Sequence, residues 1–293
     1  SSDTEVVLKG YIAWGEDLFK KIDGQFAIVI IDLKKNKIII SRDKFGEKPV
    51  FYFVDEKKII IGSELKIYKE FKNLSLEINK TGVKKYFIYS FIPAPTTIYK
   101  KIYKVKHSEC VKIDLLSKKI TKNIYYRPRI EKNFKYKEND FVEELDSLIK
   151  ESVKSRLLSD SKIGVFLSGG LDSSLISLYA LNHNKNLESY SISVDEKSFN
   201  EIDQAKKMSN SLNMKLYQTK LDENKFQYEF DKVIKLLDEP VGAPTFVPMY
   251  FLSQLTSTHV KSVLSGDGAD EIFGGYENFN YISIFRYINL LKL

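Results

Sequence analysis

Two short runs of this 293-residue sequence carry the residue types that handle phosphate. The first, Ser168-Gly169-Gly170-Leu171-Asp172-Ser173-Ser174, follows an apolar stretch (162–167) and opens a segment of helical character over 173–181. Glycine lets a backbone turn tightly and approach a ligand, and N–H groups gathered at a helix start carry positive partial charge. The hydroxyls of Ser168, Ser173 and Ser174 add donors, so the run predicts a phosphate cradle. It lacks the Gly-Lys-Ser/Thr ending of a Walker A loop, which argues against γ-phosphate transfer. Asp172 sets a carboxylate beside the phosphates, an arrangement that a divalent cation makes favourable, and Mg²⁺ is the natural choice. The second run, Ser265-Gly266-Asp267-Gly268-Ala269-Asp270-Glu271-Ile272-Phe273-Gly274-Gly275-Tyr276, follows another apolar stretch (260–264). Asp267, Asp270 and Glu271 would repel one another unless they share a cation or meet positive partners.

Both runs need a scaffold that brings them to one place. Between them the pattern alternates: strands over 162–167, 189–194, 214–218 and 260–264, with helices over 173–181, 226–237 and around Ile202, Ala205, Met208 and Leu212. Such alternation predicts a parallel sheet covered by helices, with ligands at the carboxyl ends of its strands. Upstream, from Gly24 to about Lys122, the pattern is β-rich. Hairpins are predicted over 26–40 and 51–61, and a further strand over 110–114. The prolines of Ile92-Pro93-Ala94-Pro95 exclude a regular element there. The charged, aperiodic stretch 127–139 reads as a linker. Beyond it Phe141, Leu145, Leu148, Ile149 and Val153 fall at helical spacing behind Asn139 or Asp140 as the cap. Asp238-Glu239-Pro240 ends a helix, either lining the nucleotide site or serving only as a proline stop.

Composition narrows the class without naming a function. The chain is 43% hydrophobic and 29% charged, as expected of a soluble globular protein. No apolar run approaches the roughly 18 residues of a membrane span, and the opening Ser-Ser-Asp-Thr-Glu has no signal-peptide pattern. One cysteine excludes an internal disulfide, and with three histidines it cannot build a Cys/His zinc site, so a reducing cytoplasm is expected. The histidines read as surface groups, with His183 at a helix end. The net charge of +7 comes from dispersed lysines, which reads as a solvated surface rather than a nucleic-acid face.

The two loops together resemble the synthetase domain of glutamine-dependent asparagine synthetases, within the PP-loop ATP pyrophosphatases. Asp23-Gly24-Gln25-Phe26-Ala27, Ser41-Arg42-Asp43-Lys44-Phe45-Gly46-Glu47-Lys48-Pro49, Gly62-Ser63-Glu64-Leu65-Lys66 and Pro93-Ala94-Pro95-Thr96-Thr97-Ile98 are similar to the later part of that family's N-terminal-nucleophile (Ntn) glutaminase domain. The resemblance implies an α+β part followed by an α/β part. Residues 1–126 would be the later portion of a class II amidotransferase domain, 127–139 a linker, and 140–293 the first portion of a synthetase domain. It implies that 168–174 holds the pyrophosphate of ATP, that Leu167 and Ile192 contact adenosine, and that Ser265 and Gly266 contact the nucleotide. Asp172 and Asp270 would act around Mg²⁺, with Asp267 and Glu271 beside them as catalytic carboxylates, and Asp3 would hold the amino group of glutamine. The implied reaction is ATP-dependent activation of aspartate to β-aspartyl-AMP, then amidation by ammonia from glutamine. Small molecules are the implied partners, with neither nucleic acid nor membrane, and a homodimer stays open.

The family's nucleophile is an N-terminal cysteine, whereas residue 1 here is serine, and Cys110 sits in an alternating strand pattern without a free amine. The early glutamine-binding segments and the C-terminal lysine region have no counterpart. The resemblance therefore implies a piece of a longer protein, without glutaminase activity and without full synthetase activity of its own. Two other readings remain at this stage. One is a relative acting on another carboxylic acid, as β-lactam synthetases or polysaccharide-modifying amidotransferases do; the other is a non-catalytic nucleotide-binding module.

Overall fold

In the computed structural model, which describes residues 2–129, 137–194, 201–243 and 245–279, the chain forms two compact units. The first holds Ser1–Lys132 with Ile234–Ala243, the second Asn133–Val233 with Pro244–Leu293.

In the first unit, helix α1 (Asp3–Trp14) starts behind Ser2, whose hydroxyl accepts the Glu5 N–H at 3.3 Å, and leads through a 3-10 turn to α2 (Leu18–Lys21). Strands β1 (Ala27–Asp32) and β2 (Lys37–Arg42) form the first expected hairpin, and β3 (Phe51–Val54) and β4 (Ile59–Gly62) the second. Helix α3 (Lys80–Tyr89) starts behind Asn79, whose side chain accepts the N–H groups of Thr81 and Gly82. Strands β5 (Ile102–Lys104), β6 (Glu109–Asp114) and β7 (Ile120–Ile124) complete two antiparallel sheets, ordered β1-β2-β6-β7 and β4-β3-β5.

The period-2 alternation of strands explains the layering. Ile39 packs with Phe19, Phe26 and Cys110 among residues from α1 and α2, while Ile38 and Ile40 pack with Val50, Tyr52 and Val105 of the second sheet side. A strand buried on both faces needs an unbroken apolar run, and Ile38-Ile39-Ile40 supplies it. The far face of the second sheet (Phe51, Phe53, Ile60, Ile102) is covered by Leu65 and Tyr68 of a 3-10 turn.

The Ser41–Pro49 motif proves to be a self-wired turn. The carboxylate of Asp43 is buried and accepts N–H groups from Phe26, Phe45, Gly46, Glu47 and Lys48, at 2.6 to 3.3 Å. Burial alone would raise its pKa, but the N–H donors of Lys48, Glu47, Gly46 and Phe26 hold it below the ordinary value. Arg42 closes the same turn by donating to the carbonyls of Lys48 and Val105 at 3.0 and 2.9 Å, and to that of Gly46.

In the second unit, α4 (Glu138–Arg156) begins earlier than the expected caps. Lys137 is its N-cap, without a side-chain bond, and Asn139 and Asp140 lie in its first turn. Residues 130–136 of the expected linker lie outside the described residues, as do Ser1 and the chain end at 288–293. Strands and helices then alternate as predicted through β8 (Ile163–Phe166), α5 (Leu171–His183), β9 (Glu188–Val194), α6 (Ile202–Ser211), β10 (Lys215–Leu221) and α7 (Glu223–Leu236), and the expected strand β11 (Ser262–Leu264) lies between two helices that were not expected, α8 (Phe246–Ser257) and α9 (Ala269–Phe273).

The four strands form one parallel sheet in the order β10-β9-β8-β11. Successive residues of β8 face opposite sides: Val165 packs with Val153 of α4 and with Tyr179 to Leu181 of α5, and Phe166 with the cluster of Tyr190, Leu252 and Val260. Helices therefore cover both faces. The chain runs outward from β8 through β9 to β10 and then returns to β11 on the other side of β8. That reversal puts the topological switch point, where open α/β sheets bind ligands, at the carboxyl ends of β8 and β11.

At the opposite strand ends Glu188 accepts from Lys162, Tyr190 and Tyr217, at 2.7, 3.0 and 3.2 Å. The His259 ring packs 4.1 Å from that of Tyr217. His259 is thus a half-buried packing residue rather than the expected surface group, whereas His107 and His183 are exposed.

Candidate functional site

Residues 167–170 are the whole connection between β8 and α5, so the chain must reverse within a few residues. Gly169 resolves this with φ +86°, and a Cβ there would fall 2.4 Å from the carbonyl carbon of Gln204. Only glycine fits that backbone angle and that approach together. Gly170 is the N-cap of α5 and makes no side-chain cap bond. The first-turn N–H groups of the helix therefore lack intrahelical acceptors and face the loop with the positive end of the helix dipole.

The loop hydroxyls bond within the loop. Ser168 and Ser173 lie 3.0 Å apart, oxygen to oxygen, and Ser168 Oγ also accepts the Gly170 N–H at 3.2 Å. Ser174 Oγ, in the first turn of α5, is buried and has no hydrogen-bond partner.

The second loop leaves β11 directly beside the first, because β11 pairs with β8 as far as Leu264 opposite Val165. A Cβ on Gly266 would lie 3.0 Å from Asp172 Cβ and 3.2 Å from the Ser173 nitrogen. The two loops thus touch at a residue without a side chain. Together they line one mouth of a cavity of about 920 Å³. Leu167, Ser168, Gly170, Asp172, Ser173, Ile192, Ser265, Gly266 and Asp267 all contribute to its wall. Gly169, Leu171 and Ser174 belong to the loop but not to this wall.

The acidic run divides. Asp267 lines the cavity and accepts the Ser265 hydroxyl at 2.7 Å. Asp270 lies against Gly275, where a Cβ would meet its carboxylate at 1.9 Å, and Glu271 accepts the Tyr276 hydroxyl at 2.7 Å. Neither Asp270 nor Glu271 is in the cavity wall. Among the described residues no group of three or more His, Cys, Asp or Glu side chains could hold a metal by itself. Mg²⁺ usually takes one or two carboxylates and completes its shell with waters and substrate phosphates, so Asp172 and Asp267 on one wall are a donor set that fits it.

The remaining wall was not legible as a site. It comes from the ends of β9 and β10 (Val194, Leu221, Asp222), the start of α7 (Glu223, Phe226) and the first turns of α8 (Pro248, Met249). Applying the strand-end rule to every strand, not only to the two with glycine loops, would have found the first three. Asp238 and Glu239, the other candidates for this wall, are not in it; their carboxylates bind main-chain N–H groups of Leu65, Lys66 and Ile98 in the first unit. Asp3 is exposed in the first turn of α1. Cys110 is buried, and burial, followed by the charge of Glu16, pushes its thiol up to about 12, which keeps it protonated and unreactive at neutral pH.

These features define the class: a parallel α/β unit with a glycine-rich strand-to-helix loop at its switch point, accompanied by a unit of layered antiparallel sheets. Residues 144–289 match the family model of asparagine synthase, and residues 1–126 match that of the glutamine amidotransferase domain. The chain is 36% identical over 279 residues to putative asparagine synthetase [glutamine-hydrolyzing] 2 of Methanocaldococcus jannaschii, covering 94% of this chain and 54% of that protein. It is 31% identical over 278 residues to asparagine synthetase [glutamine-hydrolyzing] 1 of Bacillus subtilis, covering 94% of this chain and 43% of the relative. The chain thus spans about half the length of the curated relatives it matches. A solved NH3-dependent NAD synthetase from Campylobacter jejuni superposes with a TM-score of 0.32 at 19% identity, over 48% of this chain and 61% of that one. No helix among the described residues is long and apolar enough to cross a membrane.

Proposed function

We propose that this chain carries the nucleotide-activating part of a glutamine-dependent asparagine synthetase, with ATP, aspartate and ammonia as its small-molecule substrates and the cytoplasm as its place of work. Residues 1–126 are part of the amidotransferase domain, 127–139 the linker and 140–293 part of the synthetase domain. The observation that carries the reading is the approach of Gly266 to Asp172 and Ser173, which sets a phosphate-type loop and a carboxylate loop on one cavity wall.

The chemistry follows from that wall. The N–H groups of 169–173 and the hydroxyls of Ser168 and Ser173 hold the β- and γ-phosphates. Leu167 and Ile192 give the adenosine an apolar seat, with Ser265 and Gly266 against it. Mg²⁺, held through Asp172 and Asp267, would supply neutralisation of phosphate charge. A side-chain carboxylate oxygen of aspartate attacks the α-phosphorus, the bond to the bridging oxygen breaks, and pyrophosphate leaves into the loop. Ammonia then attacks the activated acyl carbon, a proton is lost from nitrogen, and AMP departs with the acyl oxygen's electron pair. The protein's share is orientation and preorganised N–H donors, the usual main source of stabilisation in such transfers. Asp270 and Glu271 support the loop from outside the wall, and Asp3 is assigned to glutamine on its sequence motif alone.

The test is isotope exchange between pyrophosphate and ATP on the full chain with Mg²⁺. Label is expected to enter ATP when aspartate is present and not when it is omitted. Exchange without any acid, or equally with glutamate, contradicts the assignment.

A further inference from the structure

The cavity lies wholly within the second unit, and its wall changes character along the sheet. At the ends of β8 and β11 it is polar, with Ser168, Asp172, Ser173, Ser265 and Asp267. At the ends of β9 and β10 a continuous apolar surface takes over. Val194 ends β9 two residues after Ile192, so the two share a face, and Leu221 ends β10 directly opposite Val194. These three pack with Phe226 of α7 in one cluster. Met249 and Leu252 of α8, three residues apart and so on one side of the helix, also line the cavity. The charges of the wall are all negative: Asp172, Glu201, Asp222, Glu223 and Asp267 belong to it, and among the described residues no Lys, Arg or His does.

The apolar end suits neither phosphate nor aspartate. Either would lose water against Val194, Leu221 and Phe226 and meet no cation there. The acid must in any case lie at the α-phosphorus, towards the polar end. Adenine sits on Leu167 and Ile192, and a cavity of about 920 Å³ is near the top of the ~300–1,000 Å³ range of small-molecule pockets, so room remains beyond the base. The nucleotide's own geometry says which atoms face that room. Ribose is bonded to N9, which makes the edge carrying the exocyclic N6 the part of adenine farthest from the phosphates. With the phosphates at β8 and β11 and the base on Ile192, that edge points along the sheet towards Val194 and Leu221. We infer that this end of the cavity is an apolar subsite for a ring-sized hydrocarbon group carried on adenine N6. Val194, Leu221, Phe226, Met249 and Leu252 then set specificity on the base side of the nucleotide. The inference rests on reading the cavity as the Mg·ATP site and extends that site to a class of nucleotide beyond ATP.

Calorimetry on the full chain with Mg²⁺ tests it with three nucleotides: ATP, N6-benzyl-ATP and N6-carboxymethyl-ATP. Burial of the benzyl ring favours binding, and ordering its linker takes back part of the gain, so N6-benzyl-ATP is expected to bind about fivefold to tenfold tighter than ATP. N6-carboxymethyl-ATP is expected to bind at least about tenfold weaker than ATP, because its carboxylate would be desolvated among apolar side chains in a wall of like charge. Met249→Trp narrows the subsite from an exposed position on α8. In that variant the ratio of N6-benzyl-ATP affinity to ATP affinity should fall about tenfold, with the melting temperature reporting on the fold. Equal binding of all three nucleotides would place the N6 edge in solvent and overturn the inference. So would N6-benzyl-ATP binding more than about tenfold weaker than ATP, or a ratio that Met249→Trp leaves unmoved. N6-benzyladenosine isolates the underlying reading. If it binds and Met249→Trp weakens it, while Mg·ATP does not bind at all, the apolar subsite stands and the phosphate reading of the cavity falls.

Discussion

Replacing Gly169 by alanine is expected to abolish Mg·ATP binding and to lower the melting temperature by at least about 5 °C. Its φ of +86° lies where an L side chain costs ~1–2 kcal/mol. The new methyl would also sit 2.4 and 2.6 Å from main-chain atoms of Gln204 and Ala205, which cannot rotate away as a side chain would. Overpacking of that kind adds ~1–3 kcal/mol and must displace either the loop or the first turns of α6. Gly170→Ala is the matching comparison. There a Cβ meets only Ser168 Oγ, at 3.3 Å, and φ is −70°, so the fold should melt within about 2 °C of the original. If phosphate approaches the loop closely, this well-folded variant still loses affinity. Calorimetry and circular dichroism on the two variants separate backbone strain from ligand contact. Unchanged nucleotide binding by Gly169→Ala would remove the loop from the site.

The second large effect is at Asp172. Asp172 lines the cavity, with its Cβ 3.0 Å from where a Cβ on Gly266 would lie. A negative group next to phosphates is unfavourable unless a cation lies between them, so the sign of its contribution depends on the metal. With Mg²⁺ present, Asp172→Ala should weaken ATP binding about 30-fold, or ~2 kcal/mol. With Mg²⁺ chelated, the same substitution should leave affinity unchanged or improve it, because a repulsion has been removed. Titrating ATP at both conditions reads this inversion directly. A substitution that costs the same with and without the metal would mean that Asp172 acts on the fold of the loop and not on the phosphates.

How much of this was legible in the sequence depends on how each element is held. The hairpins β1–β2 and β3–β4 and the strands β8 to β11 were legible because buried strands need short apolar runs between turn residues. Both loops were legible because they combine glycines, hydroxyls and carboxylates at a strand end. Helix α1 was not, since Val6, Leu8 and Ile12 are exposed and blur any single apolar face. Helix α8 was missed for the opposite reason: Phe246-Val247-Pro248-Met249-Tyr250-Phe251-Leu252 is apolar on nearly every side and carries a proline in its first turn, so no period emerges. The partners of Asp238 and Glu239 were out of reach because the bonds span 135 to 173 residues of sequence. Within the acidic run, residue type alone gave Asp267, Asp270 and Glu271 equal standing. The backbone separates them, since Gly268 and Gly274, at φ +92° and +72°, bound the short α9 and take the last two away from the cavity.

The claim on which the rest depends is that main-chain N–H groups at 168–174 receive the phosphates of a nucleotide. Hydrogen exchange of the full chain, followed by mass spectrometry with and without saturating Mg·ATP, tests it most directly. Protection is predicted over 168–174 and 265–267, reproduced over 168–174 by Mg·pyrophosphate alone. Nucleotide binding that leaves the exchange of 168–174 unchanged, or that protects only peptides elsewhere in the chain, would contradict it.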